Sequence, residues 1–315
     1  MKCKICDSEN IEVVFIAKNR MYKNNNRKFT YYGCKDCSCI QLKNLPKQKS
    51  KYYPSNYYSY KEQTNYKGFK NYVITKRDAY AIGLGTLFGG FIYFFKPNRA
   101  LRSLARLRLK STDIILDIGS GSCRLLLKIS NLGFKNCTGI DPYIDTNINS
   151  KIRCVRGELK NFNGKADLIM YHHSLEHIEN QHQEFKSIKT KLNDTGVCII
   201  RIPVSTGYAV KKYKENWVQL DAPRHIFLHS HDSINLLCKK SGLKIIDTYD
   251  DSESFQFWGS EAYREGRYLV DIKTGKALVR ETDLFLHKRI FYNLKSYYLN
   301  KKRLGDQSVF YLMHE

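Results

Sequence analysis

The stretch that most constrains this chain is Ile114–Ile129, IILDIGSGSCRLLLKI. An apolar run enters an aspartate, passes through Gly-Ser-Gly and continues into a leucine-rich segment. That reads as a strand turning sharply into a helix. Such a turn brings backbone and helix N-terminus close to a ligand. The pattern around it alternates between strand and helix. Strands are expected over Ile114–Ile118, Cys137–Ile140, Ile152–Arg156, Leu168–Tyr171, Val197–Ile202, Lys244–Thr248 and Ser308–Leu312, with helical stretches between most of them. This rhythm predicts an α/β fold with a doubly wound, mostly parallel seven-stranded sheet, Rossmann-like in character. No internal repeat is visible.

What binds at the turn follows from its neighbours. The glycines are Gly119-x-Gly121, and Arg124 stands where a dinucleotide fingerprint has its third glycine. Asp117 lies two residues before the first glycine, where a carboxylate repels a pyrophosphate but pairs with an ammonium group. The next strand ends in Gly-Ile-Asp, and Asp141 falls twenty-four residues after Asp117, placed to accept ribose hydroxyls. A ligand with a ribose, a positive amine and no phosphate is S-adenosylmethionine.

The segments DIGSG, GID and ADLIMYHHSLEH together resemble a class I S-adenosylmethionine-dependent methyltransferase from Asp113 to the end of the chain. GDQSVFYL resembles the last, antiparallel strand of that fold. The resemblance implies that Asp117, Gly119 and Gly121 face the methionine part of the donor, and Asp141 its ribose. It also implies that Glu158, after the third strand, accepts from the adenine amino group. Ser120, Pro142 and His172 complete the expected donor contacts. Cys123 departs from the family's usual small residue, commonly glycine, and is expected to crowd the methionine moiety without disabling the site.

Upstream lie two CxxC knuckles, Cys3-Lys4-Ile5-Cys6 and Cys34-Lys35-Asp36-Cys37. Strand-like runs Glu12–Ile16 and Lys28–Tyr32 sit between them, joined by an Asn-rich turn. Four thiolates at this spacing predict a structural Zn site in a ribbon over residues 1–45, with Cys39 as a spare. The opening MKCKIC has no apolar core of a secretory signal. The expected location is therefore the cytoplasm, where cysteines serve as metal ligands or reduced thiols. Residues 46–110 read as a connector. It holds a Tyr-rich stretch over 50–75, an uncharged run Ala79–Phe95 flanked by Lys76, Arg77, Lys96 and Arg99, and a basic amphipathic helix capped by Asn98. The uncharged run suits a buried or lid segment first, an interfacial membrane contact second, and a membrane span least. Residues 111–315 form the methyltransferase domain in this reading.

Charge is uneven. Lys and Arg number 53 against 30 Asp and Glu. Residues 1–110 carry 23 of the former and 6 of the latter, so 17 of the 23 excess positive charges lie there. The excess suits an anionic partner or serves solubility alone. Peripheral contact through 79–110 with the inner face of a membrane is one expectation, and nucleic acid a weaker one.

Candidate chemistry sits at the carboxyl ends of the fourth and fifth strands. Six of nine histidines fall there, at 172, 173, 177, 225, 229 and 231. His225 is the first candidate for general base, followed by His173 and His177. Arg224 suits a carboxylate or phosphate on the substrate. His231 suits a cap on the helix starting near Asp232.

Knuckles followed by this domain also resemble bacterial methyltransferases of sugars and surface polysaccharides. Some sugar C-methyltransferases carry Glu-His after the fifth strand, where this chain has Arg224-His225. The missing carboxylate turns the expectation toward O-methylation of an anionic saccharide, nucleotide-linked or lipid-linked. Two rivals stand beside it. One is an RNA methyltransferase that uses the basic N-terminal region, although YHHS replaces the Asn/Asp-Pro-Pro-aromatic turn common in base methylation. The other is a non-enzymatic donor-binding protein.

Overall fold

Strand β1 (Ile11–Lys18) pairs antiparallel with β2 (Lys28–Cys34), and β3 (Ile40–Leu42) pairs with the other edge of β2. These are the β-branched and aromatic runs between and just after the knuckles, where pleated backbone packs such side chains best. The computed structural model describes residues 1–22, 27–53, 68–144 and 152–315. The Asn-rich turn and the middle of the Tyr-rich stretch lie outside the described residues.

Two compact units emerge. The first joins Met1–Tyr58, Leu175–Phe185 and Ile202–Phe310; the second joins Ser59–Ser174, Lys186–Arg201 and Tyr311–Glu315. The knuckle segment thus shares a unit with residues well past the fifth strand of the α/β pattern.

In the second unit, helices α1 (Gly68–Ala81), α2 (Leu87–Phe95) and α3 (Arg99–Arg102) precede the sheet. The uncharged run 79–95 is therefore the end of α1, a turn and α2, not one continuous segment. The basic amphipathic helix is shorter than expected. Asn98 does cap it, its side-chain oxygen accepting from the Leu101 N–H at 3.3 Å. The Ser103 hydroxyl then bonds back to the Ala100 carbonyl at 2.7 Å, and the chain tightens into a 3₁₀ turn over Ser103–Arg106.

Then come β4 (Ile114–Ile118), α4 (Arg124–Asn131), β5 (Asn136–Asp141), β6 (Arg153–Arg156) and β7 (Ala166–His172). Helix α5 (Gln181–Lys191) leads to β8 (Leu192–Pro203). The pairs β4–β5, β4–β7, β5–β6 and β7–β8 are all parallel. Ile115, Leu116, Leu168, Ile169 and Met170 are fully buried, as strands covered on both faces must be.

The first unit continues with α6 (Tyr208–Tyr213), β9 (Phe227–Leu228), α7 (His231–Ser241) and β10 (Leu243–Asp250). Helices α8 (Phe255–Arg264) and α9 (Leu286–Lys301) precede β11 (Gln307–His314). The large sheet has the order β10-β11-β8-β7-β4-β5-β6, the strand arrangement of a class I methyltransferase. Its order reverses beside β4, and ligands of open α/β sheets bind at such a switch point. Ser230, not His231, caps α7: its hydroxyl oxygen accepts from the Ser233 N–H in a full capping box.

The short β9 pairs with β3, so the knuckle sheet reads β1-β2-β3-β9. A shared core lies behind it, with Phe15, Tyr31, Leu42, Trp217, Leu220, Leu228 and Phe257. Trp217 is fully buried, and its indole N–H donates to Asp306 Oδ2 at 2.8 Å. Trp217→Ala is expected to cost about 3–5 kcal/mol, read as a lowered midpoint in chemical denaturation.

Candidate functional site

The donor site is built on the β4–α4 turn of the second unit. Gly119 has φ +72°, and a Cβ there would come within 2.4 Å of the Ser174 side chain. The Ser174 hydroxyl in turn donates to the Ile118 carbonyl. Gly121, also left-handed, donates its N–H to Asp141 Oδ2 at 3.0 Å. Asp141 Oδ1 accepts the Tyr143 N–H at 2.8 Å. Backbone N–H groups thus orient both oxygens of this carboxylate at the end of β5. Pro142 follows directly, its carbonyl accepting from Arg156 Nε at 3.2 Å.

Asp117 is buried at the end of β4. Burial first, and the Asp141 carboxylate second, push its carboxyl up to about 8. A cationic ligand group would relieve both effects, whereas a pyrophosphate would add further negative charge. At the end of β7, neither ring nitrogen of His172 has a hydrogen-bond partner among the described residues. Burial, then Arg201 and His173, hold that imidazole well below its usual range, so it is neutral. Unsatisfied polar atoms at a ligand-binding strand end are what a bound donor would satisfy. These features fit S-adenosylmethionine.

Three expected residues behave differently in detail. The Cys123 sulfur does not stand open at the turn: it lies 2.8 Å from Cys154 Sγ, and a Cβ on Gly139 would meet it at 2.5 Å. It packs into the sheet. Ser120 lies between the two glycines, its hydroxyl 3.6 Å from the same sulfur. Glu158 is exposed beyond β6 and pairs with Lys160 at 2.6 Å. His173 adopts φ +54°, an uncommon conformation for a residue with a side chain, and its Nε2 lies 2.9 Å from an Arg201 guanidinium nitrogen. Its own N–H donates to the Arg201 carbonyl at 2.9 Å.

The first unit holds a cluster of four cysteines that could take a metal ion. The sulfurs of Cys3, Cys6, Cys34 and Cys37 all lie within 4.8 Å of one another. Cys3–Cys37 and Cys6–Cys34 are 3.6 and 3.5 Å apart. A tetrahedral Zn with Zn–S near 2.3 Å needs sulfur separations of ~3.8 Å. The Cys37 thiol, foremost, and the backbone N–H groups of Cys6 and Ile5 hold Cys3 down to about 4, the thiolate a metal needs.

The two knuckles share one backbone pattern. Asp7 and Ser38 each have a left-handed φ (64° and 56°), and each donates its N–H to the first cysteine's carbonyl at 3.0 and 2.9 Å. Cys39 is no ligand: its sulfur turns to the Ile40 carbonyl. Later segments of the same unit pin the knuckles. Lys240 Nζ donates to the Ile5 carbonyl at 3.2 Å, Ser230 to that of Cys37 and Ser205 to that of Ser38.

Beside the knuckle sheet lies an acid–base cluster. The carboxylate missing from the position before His225 comes from other elements: Glu176 Oε1 is 3.7 Å, and Asp221 Oδ2 3.9 Å, from His225 Nε2. His225 Nδ1 is 2.7 Å from the Gln219 carbonyl, which makes Nδ1 the donor and leaves the Nε2 lone pair open. Burial pushes His225 down to about 4, against the pull of Glu176 and Asp221 toward the charged form. His177 stands edge-on at 4.9 Å, its Nδ1 2.9 Å from the Arg224 carbonyl and 3.3 Å from the Tyr53 hydroxyl.

Arg224 corrects an expectation. It is not poised for an anionic substrate. Its side chain is completely buried and forks onto Asp221, with further donation to Asn19 and the Tyr52 carbonyl. Burial alone would raise Asp221; the Arg224 charge outweighs it and holds that carboxyl below its usual value. His229 is likewise structural, with Nδ1 3.1 Å from the Ser233 hydroxyl and Nε2 3.2 Å from the Gln181 amide oxygen. Glu176 reads in the sequence, within HSLEH at the end of the fourth strand, as a surface partner of His177; the structure buries it and turns it toward His225.

The family model described as Methyltransferase domain matches residues 93–248, just short of half the chain. No curated protein matches it in sequence. Among solved structures it is similar to an S-adenosylmethionine-dependent methyltransferase from Archaeoglobus fulgidus, at 17% identity over 71% of this chain and 98% of that one, with a TM-score of 0.42. It is also similar to an O-methyltransferase from a trans-AT polyketide multienzyme of Brevibacillus brevis in complex with S-adenosylhomocysteine. There the identity is 16%, the coverage 64% and 66%, and the TM-score 0.39.

Three outcomes are expected. If a cationic donor ionises Asp117, binding releases a proton, so affinity for S-adenosylmethionine should improve by up to about tenfold per pH unit between roughly pH 5 and 7. Titration calorimetry in buffers of different ionisation enthalpy reads this, and Asp117→Asn should abolish the trend. Protein prepared without chelator should carry close to one Zn per chain, and Cys34→Ser should lose it and lower the melting temperature. The folded state holds His225 and His229 neutral, at about 4 and about 3. The unfolded chain binds those protons first, so stability is full above pH ~6.5 and falls toward pH 4, as denaturation midpoints across that range would record.

Proposed function

We propose that the chain carries a class I methyltransferase domain and moves the methyl group of S-adenosylmethionine to a hydroxyl of a nucleotide- or lipid-linked sugar. The observation that carries the donor assignment is the buried Asp117 beside Asp141, a pair of acids that a cationic nucleoside without phosphate would complement. Bound there, S-adenosylmethionine supplies an electrophilic methyl on a sulfonium, open to in-line attack. Orientation is the main contribution the protein makes to such a displacement. The Gly119–Gly121 turn and the fixed Asp141 carboxylate supply it on the donor side.

A hydroxyl acceptor must also lose a proton. We assign that proton to His225 Nε2. Burial keeps the imidazole neutral at physiological pH, and the hydrogen bond from Nδ1 to the Gln219 carbonyl fixes its tautomer. Glu176 and Asp221 stabilise the imidazolium that forms, the part an acid partner plays in other acid–base sites. His173 is the second candidate, since its strained backbone and its contact with Arg201 lie in the donor-binding unit. The saccharide class rests on the resemblance to sugar methyltransferases and on the positive charge of the chain. A carboxylate beside His225 removes the argument that set carbon methylation aside, so product analysis decides between oxygen and carbon.

The test uses methyl-labelled donor with nucleotide-linked sugars, lipid-linked sugars and RNA as separate acceptors, and mass spectrometry of the products. A methyl ether on a sugar is expected. Label on RNA alone, or on none of the three, overturns the saccharide reading. His225→Ala should retain donor affinity while turnover falls by roughly 10²–10⁴. Wild-type turnover should hold from neutral pH down to about 5 and fail as His225 becomes protonated.

A further inference from the structure

Helix α2 wears its apolar side outward. Leu87, Phe88, Phe91, Phe94 and Phe95 recur at helical spacing, and all are exposed, with Leu87 at 93%, Phe94 at 81% and Phe95 at 70%. The opposite side is glycine. A Cβ on Gly89 would come within 2.3 Å of the Lys76 carbonyl, and one on Gly90 within 2.8 Å of the Tyr80 ring. Small residues thus let α2 lie close against α1, and the large residues are left facing solvent. The base of this hairpin is fixed: the Arg77 guanidinium forks onto Asp78, and the Asn98 amide donates to the same oxygen at 3.2 Å. The exposed stripe belongs to a built element of the fold.

Its flank is cationic. Residues 79–110 hold six Lys and Arg and no Asp or Glu, and they run on directly from the apolar stripe. No helix among the described residues is long and apolar enough to cross a membrane. An exposed aromatic stripe followed by a stretch with Lys and Arg and no acidic residue is complementary to one surface in particular, the anionic headgroup layer of a bilayer with acyl chains beneath. The same chemistry recurs in the other compact unit. Leu286, Ile290, Leu294 and Tyr297 are exposed at helical spacing on α9, and residues 284–304 hold six Lys and Arg and no acid.

We propose that α2 is a docking element for the surface of an anionic bilayer: it lies in the headgroup layer without spanning it, with the exposed Lys96 and Arg102 against the phosphates. The proposal does not depend on which acceptor is methylated.

The full-length, zinc-loaded protein should sediment with vesicles of equimolar phosphatidylcholine and phosphatidylglycerol, and far less with phosphatidylcholine alone. Added salt should weaken the association. Phe91→Ser, Phe94→Ser and Phe95→Ser together replace exposed side chains, so circular dichroism and donor affinity should be unchanged while vesicle partitioning drops by about tenfold or more. Absence of vesicle binding, equal binding to neutral vesicles, or unaltered partitioning of the triple variant overturns the proposal. So does light scattering that shows the wild type as a dimer and the triple variant as a monomer with no lipid binding by either, since the stripe would then be an interface between two copies of the chain.

Discussion

The Asp141 carboxylate is the constraint on which the donor half of this molecule turns. Its two oxygens take backbone N–H groups from two separate turns, Gly121 after β4 and Tyr143 after β5. One side chain therefore ties the glycine turn after β4 to the turn after β5 at the switch point of the sheet. The cost falls on Asp117, which is buried close enough for its ionisation to be suppressed. Strain and unmet charge of this sort are stored where a ligand discharges them.

In the other unit the organising pair is Asp221 with Arg224. Their buried ion pair would be hard to justify on stability alone, because desolvation offsets most of the attraction. Its value lies in position. Asp221 holds a left-handed backbone (φ 35°), and within this tight turn the Arg224 carbonyl meets His177 while His225 reaches back to Gln219. A charge that looks in the sequence like a substrate contact instead sets two imidazoles at a defined angle beside Glu176.

The seven strands of the large sheet were legible because each is an apolar run closed by a turn; the boundaries differ by a residue or two except at the start of β8, which begins five residues before the expected Val197. Strands β3 and β9 were not, since three and two residues leave no period to read. The strand–turn–helix that carries Asp117, Gly119 and Gly121 was legible because its pattern is local. The partner of His225 was not: Glu176 stands forty-nine positions away, and the bond from the Ile226 N–H to the Glu176 carbonyl and the contact of His177 with the Arg224 carbonyl bring the two segments together. The run 79–95 misled for a simpler reason. Its glycines weaken a lone helix but allow a close helical pair, and sequence alone does not say which side of the pair faces water.

The knuckle sheet borrows its fourth strand from Phe227–Leu228, and the Tyr31 hydroxyl reaches the His225 carbonyl at 3.0 Å. A module that looks detachable is thus spliced into the segment bearing the imidazoles. Trimming the first forty-five residues would expose a raw edge and leave the downstream loop without its template. Losing the four cysteines would therefore disturb residues 219–229 as well as the segment that bears them.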